Sequence, residues 1–564
     1  MKQSSSAQGP QDRRPSVLLV VVDDMGFSDC QPFGGEIATP HLQALADRGV
    51  SLGRFHTSSL CAPTRAMLLS GVDNHRNGLG VMPPLHATNQ YGQPGYEGYL
   101  NLASPTLAEL LRDAGYFTCM AGKWHLGKAH GVRPAQRGFE RSFAFLGGGA
   151  SHFNDVRPLC ATELPATAYV EDDRDVTRDL PPSFYSSAAY TDYLIDNLRA
   201  HCGERPFFAY LAFTAPHDPL QVPDDWLERY KGQYDAGYDA IRRKRLQRMK
   251  NIGLIDERVA ENPGSGEFSL WEAQSATQRT VQARKMEIYA SMIENFDHHF
   301  GRVVDTLSEL NRLDDTLIVF LSDNGANPKE PHAYPPNTEE QIAREFDNRI
   351  ENMGRKGSFV SIGGAWAEVA NTPLSYFKMT TYEGGTRTPL IVAGPGVRRR
   401  GVDAQQLLHV TDLLPTLLDF AGVPRPDGRA GNPTAPLYGR SLKPWLAGES
   451  QAPVRNDGDA LGFEMIECKA IIKGSWKLVC MAPRDGELDD WKLYNLDQDP
   501  RELDDLAALH PEKLAEMVAE WHTYASAVGY VKAGPTLQIT TMDAEAYFRF
   551  EQNRDLLMRQ ALTG

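Results

Sequence analysis

Uninterrupted apolar runs punctuate the chain, and each closes on polar residues. Val17-Leu18-Leu19-Val20-Val21-Val22 closes on Asp23-Asp24-Met25-Gly26. Pro206 to Phe213 leads to His217, and Thr316 to Leu321 closes on Ser322-Asp323-Asn324-Gly325. Such runs, with no apolar/polar alternation, predict strands buried on both faces, as in a parallel sheet. Tyr116 to Lys123 reads the same way and follows a helical Leu107–Leu111 and a Gly115 break. Between the runs the spacing turns helical. Pro40 opens a helix through Leu42, Leu45 and Ala46 that Gly49 is expected to stop. Met286 to Leu310 carries Tyr289, Met292, Ile293, Phe296, Phe300, Val303, Val304 and Leu307 at helical spacing. His298 and His299 fall on this helix as packing or polar-face residues. Thr411 to Gly422 is a further amphipathic helix. Residues 225–285, dense in Arg, Lys, Glu and Gln, predict a solvated helical insertion. Alternating strands and helices predict an α/β sandwich with a large, mainly parallel sheet flanked by helices.

The pattern changes after residue 450. Ser450 to Gly458 reads as a linker. Ala470–Ile472, Trp476–Cys480 and Trp491–Leu496 then predict short strands, and Pro511–Tyr524 a helix. The expected organisation is a polar leader (1–15), an α/β domain (16–449) and a smaller C-terminal α+β domain (456–564) with an antiparallel sheet.

Charge narrows the partners. The 564 residues carry a net charge of −15, which opposes non-specific binding to nucleic acid, since that binding neutralises phosphates. An anionic substrate would need a local cluster of cations. The 7 cysteines are an odd number without zinc-site spacing, which predicts thiols in a reducing compartment. The N-terminal stretch has no apolar core of a secretory signal, and no run is long enough to span a bilayer. The expectation is a soluble, cytoplasmic protein with no membrane partner.

Candidate chemistry gathers at the strand ends. Asp23 and Asp24 close one predicted strand, Asp323 and Asn324 another. Adjacent carboxylates are costly to bury together. A hard divalent cation resolves the conflict, and oxygen-only ligands favour calcium or magnesium over zinc. Cys61-Ala62-Pro63-Thr64-Arg65 has the spacing C-x-P-x-R, which in isolation more often marks an ordinary buried cysteine. Here it occurs with Gly115 to Leu126, which contains Lys123 and His125, with Ala215-Pro216-His217, and with Lys378 ahead of Tyr382-Glu383-Gly384-Gly385-Thr386-Arg387-Thr388-Pro389.

Together these motifs resemble the signatures of the type I, formylglycine-dependent sulfatases. Phe33–Pro40, Gly95–Gly98 and Arg137–Phe143 resemble the soluble bacterial arylsulfatases in particular. The resemblance implies an alkaline-phosphatase-like sandwich. It implies that a separate formylglycine-generating enzyme oxidises Cys61 to Cα-formylglycine, whose hydrate is the nucleophile. One calcium ion would be held by Asp23, Asp24, Asp323 and Asn324, together with residue 61. Arg65 and Lys123 would hold the oxygens of residue 61, and Asp323 would accept its proton. His217 and Lys378 would sit at the leaving oxygen, with Lys378 favoured as proton donor, and His125 would deprotonate the second hydroxyl. The implied activity is hydrolysis of aryl sulfates, and of alkyl sulfates in addition, through a sulfated enzyme. Two rival readings stay open: a phosphonate monoester or phosphodiester hydrolase on the same fold, and a non-catalytic calcium-dependent binding protein that keeps Cys61 as a thiol. The loops across 325–370 are expected to shape the substrate pocket.

Overall fold

The computed structural model describes residues 14–534 apart from 84, 161–167, 202, 204, 335, 430–431 and 484–487. Cys202 and most of the expected leader therefore lie outside the described residues. Arg14 and Pro15 are in place: the Arg14 guanidinium donates to the Ala114 carbonyl at 3.0 Å, and the Tyr116 hydroxyl donates to the Pro15 carbonyl at 3.0 Å.

An 11-stranded mixed sheet organises the larger part of the chain. At its centre Thr316–Ser322, Ser16–Val22, Phe207–Ala212, Phe117–Lys123 and Arg141–Phe145 lie side by side and parallel. Arg387–Ala393 runs antiparallel between Thr316–Ser322 and Gly49–His56. Tyr169–Glu171 and Arg174–Asp175 extend the other edge antiparallel. The apolar run of the first strand serves two cores at once because strand side chains alternate in direction. Val17, Leu19 and Val21 pack towards the helices Cys61–Ser70, Leu107–Asp113 and Leu413–Ala421. Leu18, Val20 and Val22 pack towards Pro40–Asp47, Ser186–His201 and Ala276–Glu309. This is the expected α/β sandwich with its mainly parallel sheet.

Several elements depart from the sequence reading. The helix opened by Pro40 ends at Asp47 with Arg48 as its cap, one residue before Gly49. Gly49 instead begins a strand opposite Ala393, where a Cβ would lie 2.2 Å from the Val392 carbonyl oxygen. That strand escaped detection because its apolar positions are interrupted and its register shifts between Leu52 and Phe55. The long helix starts at Ala276, ten residues ahead of Met286, capped by Ser275, whose hydroxyl accepts the Gln278 amide hydrogen. The charge-rich stretch before it is solvated over about half its length, but part of it is turned into the core. Its helix Tyr238–Asn251 turns Arg245 wholly inward, where the guanidinium donates to Asp29 at 2.6 Å and to both Glu36 oxygens at 2.7 Å. Tyr234, Tyr238, Trp271 and Trp366 pack edge to face on one another. Composition misled here because the charges are paired inside, a state that composition cannot register.

The C-terminal part forms a separate four-stranded antiparallel sheet in the order Ala460–Met465, Cys468–Lys473, Trp476–Cys480, Trp491–Asn495. The helix Pro511–Val528 covers one face through Met517, Trp521 and Tyr524. The other face, with Phe463, Ile472 and Val479, meets Tyr382 and Leu407 of the larger part. Buried charges cross the same junction: the Lys477 ammonium lies 2.8 Å from Glu383 and 2.8 Å from Glu502. The expected divide at 450–458 falls between the short helix Lys443–Leu446 and the first strand of this sheet. Among the described residues no helix is long and apolar enough to cross a membrane.

Replacing Arg245 by leucine would strand Asp29 and Glu36 without a cation in the interior. Removing one partner of such a buried pair costs about 3–5 kcal/mol, so Arg245→Leu should lower the urea midpoint accordingly. A loss below about 1 kcal/mol, the level of a surface pair, would show that the site is wetter than its burial indicates.

Candidate active site

The parallel register brings the polar strand ends together. Val22 pairs with Ser322, so Asp23 and Asp323 leave adjacent strands side by side, and the Asp323 amide donates back to the Val22 carbonyl at 3.1 Å. Asp24 turns at a φ of 66° and its amide donates to Asp323 Oδ1 at 3.3 Å. A positive φ is uncommon for a side-chain-bearing residue, and here it aims the second carboxylate across the strand ends. Ligands of open α/β sheets bind at this end of the strands.

The other candidates converge on these carboxylates. Cys61 is the first residue of the helix Cys61–Ser70, all of which is buried. One turn on, Arg65 donates from Nε to Asp323 Oδ2 at 2.9 Å, and its terminal nitrogen is 2.7 Å from the same oxygen. Lys123, the last residue of its strand, places Nζ 2.5 Å from Asp23 Oδ2. Lys378 Nζ lies 2.6 and 2.9 Å from the two Asp24 oxygens, and Asn324 Nδ2 donates to Asp24 Oδ1 at 2.7 Å. His125 Nδ1 is 3.4 Å from Cys61 Sγ. His217 Nε2 is 3.4 Å from Asp24 Oδ2, and its Nδ1 donates to the Asp218 carbonyl at 2.9 Å. Every site residue expected from the sequence is therefore in one constellation, buried except for the partly exposed His125.

Burial and charge set the protonation states. Burial pushes the Cys61 thiol up, more strongly than Lys123 and Lys378 pull it down, which disfavours a thiolate. Burial, then Lys123 and Arg65, hold His125 well below the ordinary histidine value, so it is a neutral imidazole. Burial also depresses His217, against the pull of Asp24. Burial raises Asp323 to about 6, helped by Asp23 and opposed by Arg65 and Lys123. Asp24 faces the same burial, but His217 and Lys378 outweigh it and its carboxyl is lowered. Two buried oxygens, Asp23 Oδ1 and Asn324 Oδ1, accept no hydrogen bond. Ligand atoms of Asp23, Cys61 and Asp323 lie within 4.8 Å of one another, as do those of Asp23, Asp24 and His217. Orphaned oxygens between crowded carboxylates fit a hard cation.

Two residues that the sequence reading passed over shape this site. After the strand Arg141–Phe145 the chain runs Leu146-Gly147-Gly148-Gly149. A Cβ on Gly148 would lie 3.0 Å from the His125 ring, and one on Gly149 3.0 Å from the His217 ring and 2.6 Å from Leu159. The run of glycines at a strand end was the available signal.

Comparison with known proteins fits this geometry. The Sulfatase family model matches residues 15–423, and the model for the C-terminal region of N-sulphoglucosamine sulphohydrolase matches 375–523. An arylsulfatase of Klebsiella aerogenes is 44% identical over 440 residues, spanning 78% of this chain and 93% of its own. An uncharacterised sulfatase of Schizosaccharomyces pombe is 40% identical over 539 residues, spanning 93% and 95%. The PsFucS1 sulfatase from Pseudoalteromonas shares the fold with a TM-score of 0.61 at 18% identity, covering 93% of this chain and 92% of that one. Ps i-CgsB in complex with k-i-k-neocarrahexaose does so with a TM-score of 0.65 at 21% identity, covering 98% and 99%. The fold and site define a hydrolase of sulfate esters with the alkaline-phosphatase-like architecture. The chain belongs to the sulfatase family, as a member close to the bacterial arylsulfatases.

Gly149→Ala places a methyl group 2.6 Å from Leu159 and 3.0 Å from the His217 ring, a clash that moves Leu159, the imidazole or both. Displacements of this size in a catalytic constellation cost about tenfold or more in rate. The variant should lose that much kcat on an aryl sulfate while keeping the wild-type thermal midpoint. Wild-type kcat would show that Leu159 yields instead and that the glycine is not needed for the histidine.

Proposed function

We propose that the protein hydrolyses sulfate monoesters, aryl sulfates foremost and alkyl sulfates in addition, through an oxygen nucleophile made from Cys61. The observation that carries this reading is the setting of residue 61. It begins a buried helix 3.4 Å from a neutral imidazole, and its thiol is held protonated. A protonated thiol is a weak nucleophile. Conversion of Cys61 by a formylglycine-generating enzyme, followed by hydration, would place two hydroxyls on one carbon at that point. The free thiols of Cys30, Cys61, Cys468 and Cys480 support a reducing compartment, and we place the protein in the cytoplasm.

In the proposed sequence Asp323 takes the proton of one hydroxyl while that oxygen bonds to sulfur and the bond from sulfur to the alcohol oxygen breaks. A basic carboxylate suits this task, and burial beside Asp23 raises Asp323 to about 6. Lys378 neutralises and protonates the departing oxygen. His217 stands beside it with Nδ1–H committed to the Asp218 carbonyl, which fixes the ring so that Nε2 is left to orient the alcohol. His125 then takes the proton of the second hydroxyl. The carbonyl re-forms as the carbon–oxygen bond to the sulfate breaks, and sulfate leaves. The second hydroxyl is what allows release without water attacking sulfur, and splitting the reaction this way is covalent catalysis. Arg65 and Lys123 hold the oxygens of residue 61. Asp23, Asp24, Asp323 and Asn324, with residue 61, would hold one calcium ion, which would supply fixed positive charge for the sulfate oxygens.

The direct test is the mass of the peptide holding residue 61, joined to turnover. Active enzyme should carry formylglycine there, lighter than cysteine because oxygen replaces sulfur. Cys61→Ala should fold yet lose at least about 10⁴-fold in kcat, the scale on which nucleophiles matter. Wild-type turnover in that variant, or full activity with an intact thiol, would end this proposal.

The roles of the two lysines separate by leaving group. Charge on the departing oxygen grows as the alcohol becomes more basic, so the loss from Lys378→Ala should grow from a nitrophenyl to a phenyl to an alkyl sulfate. Lys123→Ala, on the nucleophile side, should lose a nearly constant factor across the series. Parallel slopes in a plot of log kcat/KM against leaving-group pKa would leave Lys378 without a distinct role.

A further inference from the structure

The segment that follows Asn324 carries a cation that the chemistry above does not use. Lys329 is half-buried. Its backbone amide donates to Asn327 Oδ1 at 3.2 Å, and its ammonium stands 5.3 Å from the centre of the Tyr334 ring. Among the described residues it forms no ion pair. Burial and the nearby Lys378 ammonium both weigh against its charge, which Cys160, Asp24 and Asp218 favour. Both of those carboxylates are already committed. Asp24 is held by Lys378 and Asn324. Asp218 Oδ2 accepts from Ser361 at 2.7 Å, from Tyr334 at 2.9 Å and from Asn327 at 2.9 Å.

The placement is specific to one side of the site. Asp218 directly follows His217, so Tyr334 is tied to the backbone that presents that imidazole. Tyr334 also packs on the cluster of Leu159, Ile342 and Phe359, and Leu159 is the side chain that shares the space beside Gly149 with His217. Lys329 thus stands on the side of His217 and Lys378, where the alcohol half of the ester departs. In a chain of net charge −15, a partly desolvated ammonium that rests on an aromatic face and forms no ion pair among the described residues is an anion site in waiting.

We propose that Lys329, braced on Tyr334, is a specificity residue that binds a second anionic group on the alcohol half of the substrate, so that dianionic aryl sulfates are the preferred esters. The inference rests on the sulfatase reading above and deepens it. A carboxylate or a sulfonate on the aryl ring meets the same requirement.

The experiment compares matched esters: carboxyphenyl and sulfophenyl sulfates against the carboxamidophenyl sulfate of the same substitution pattern. In formylglycine-bearing wild-type enzyme, kcat/KM for the best anionic isomer should exceed that for its amide by about tenfold or more, as expected of a charge-assisted contact. Lys329→Gln should bring the ratio to about one, Lys329→Glu should invert it, and Lys329→Arg should retain it. The wild-type ratio should also fall as salt is raised. An unchanged ratio in Lys329→Gln and Lys329→Glu, both with native thermal midpoints, overturns the inference. So does a wild-type enzyme that turns over both esters without preference. Wild-type enzyme that turns over neither ester overturns the sulfatase reading itself. Should the glutamate variant fail to fold, the glutamine and arginine variants still decide between these outcomes.

Discussion

One backbone pairing creates the problem that the rest of the active site answers. Because Val22 lies opposite Ser322, the chain leaves two parallel strands with Asp23, Asp24 and Asp323 within reach of one another, all buried. Uncompensated, such a group would cost several kcal/mol for each charge. Compensation comes from three separate elements: Arg65 from a helix, Lys123 from a strand end and Lys378 from a loop. Each cation is directed at a carboxylate, and in the proposed function at the reacting atoms through it. That arrangement is electrostatic preorganisation, since the charges are in place and dry before substrate arrives. It is still incomplete. Asp323 remains raised to about 6 by burial and by Asp23, and two oxygens are unsatisfied, which is the chemical form of a site made for a cation.

The same charge set gives the two histidines different surroundings. His125 sits near Lys123 and Arg65, which reinforce burial in keeping it neutral; a neutral ring beside residue 61 can take a proton. His217 has a carboxylate nearby, but burial still dominates, and the Asp218 carbonyl fixes which nitrogen carries the hydrogen. Gly148 and Gly149 hold both rings in place from one side by what they lack. The protonation states of the site are thus consequences of its packing, and a methyl group is enough to disturb them.

How much of this was legible in the sequence depends on what each feature required. Strands buried on both faces announce themselves by composition, so Ser16–Val22, Phe117–Lys123, Phe207–Ala212 and Thr316–Ser322 were readable, and the residues closing them marked the site. Gly49–His56 and Arg387–Ala393 were not, because one is broken by glycines and a register shift and the other is preceded by a motif that drew attention to chemistry over structure. The buried face of the helix Tyr238–Asn251 was not readable within the charge-rich stretch 225–285 because Arg245 carries the same letter whether it points to water or into a carboxylate pair. Gly148 and Gly149 were invisible as site residues for a related reason: a glycine's role lies in the neighbour it admits, and that neighbour comes from a distant part of the chain.

Charge balance also explains where specificity can reside. The inner half of the site is over-determined, since moving any of Arg65, Lys123 or Lys378 strands a buried carboxylate, so its geometry has little freedom to follow one substrate or another. The outer half is different. Asp218, Asn327, Tyr334 and Ser361 bond to one another without the Lys329 ammonium, so that ammonium can change without unbalancing the centre. Substrate selection is therefore best placed on residues that the buried charges do not constrain. Among those near the leaving-group side, a half-buried ammonium with no carboxylate of its own is the one whose energy changes most when an anion arrives.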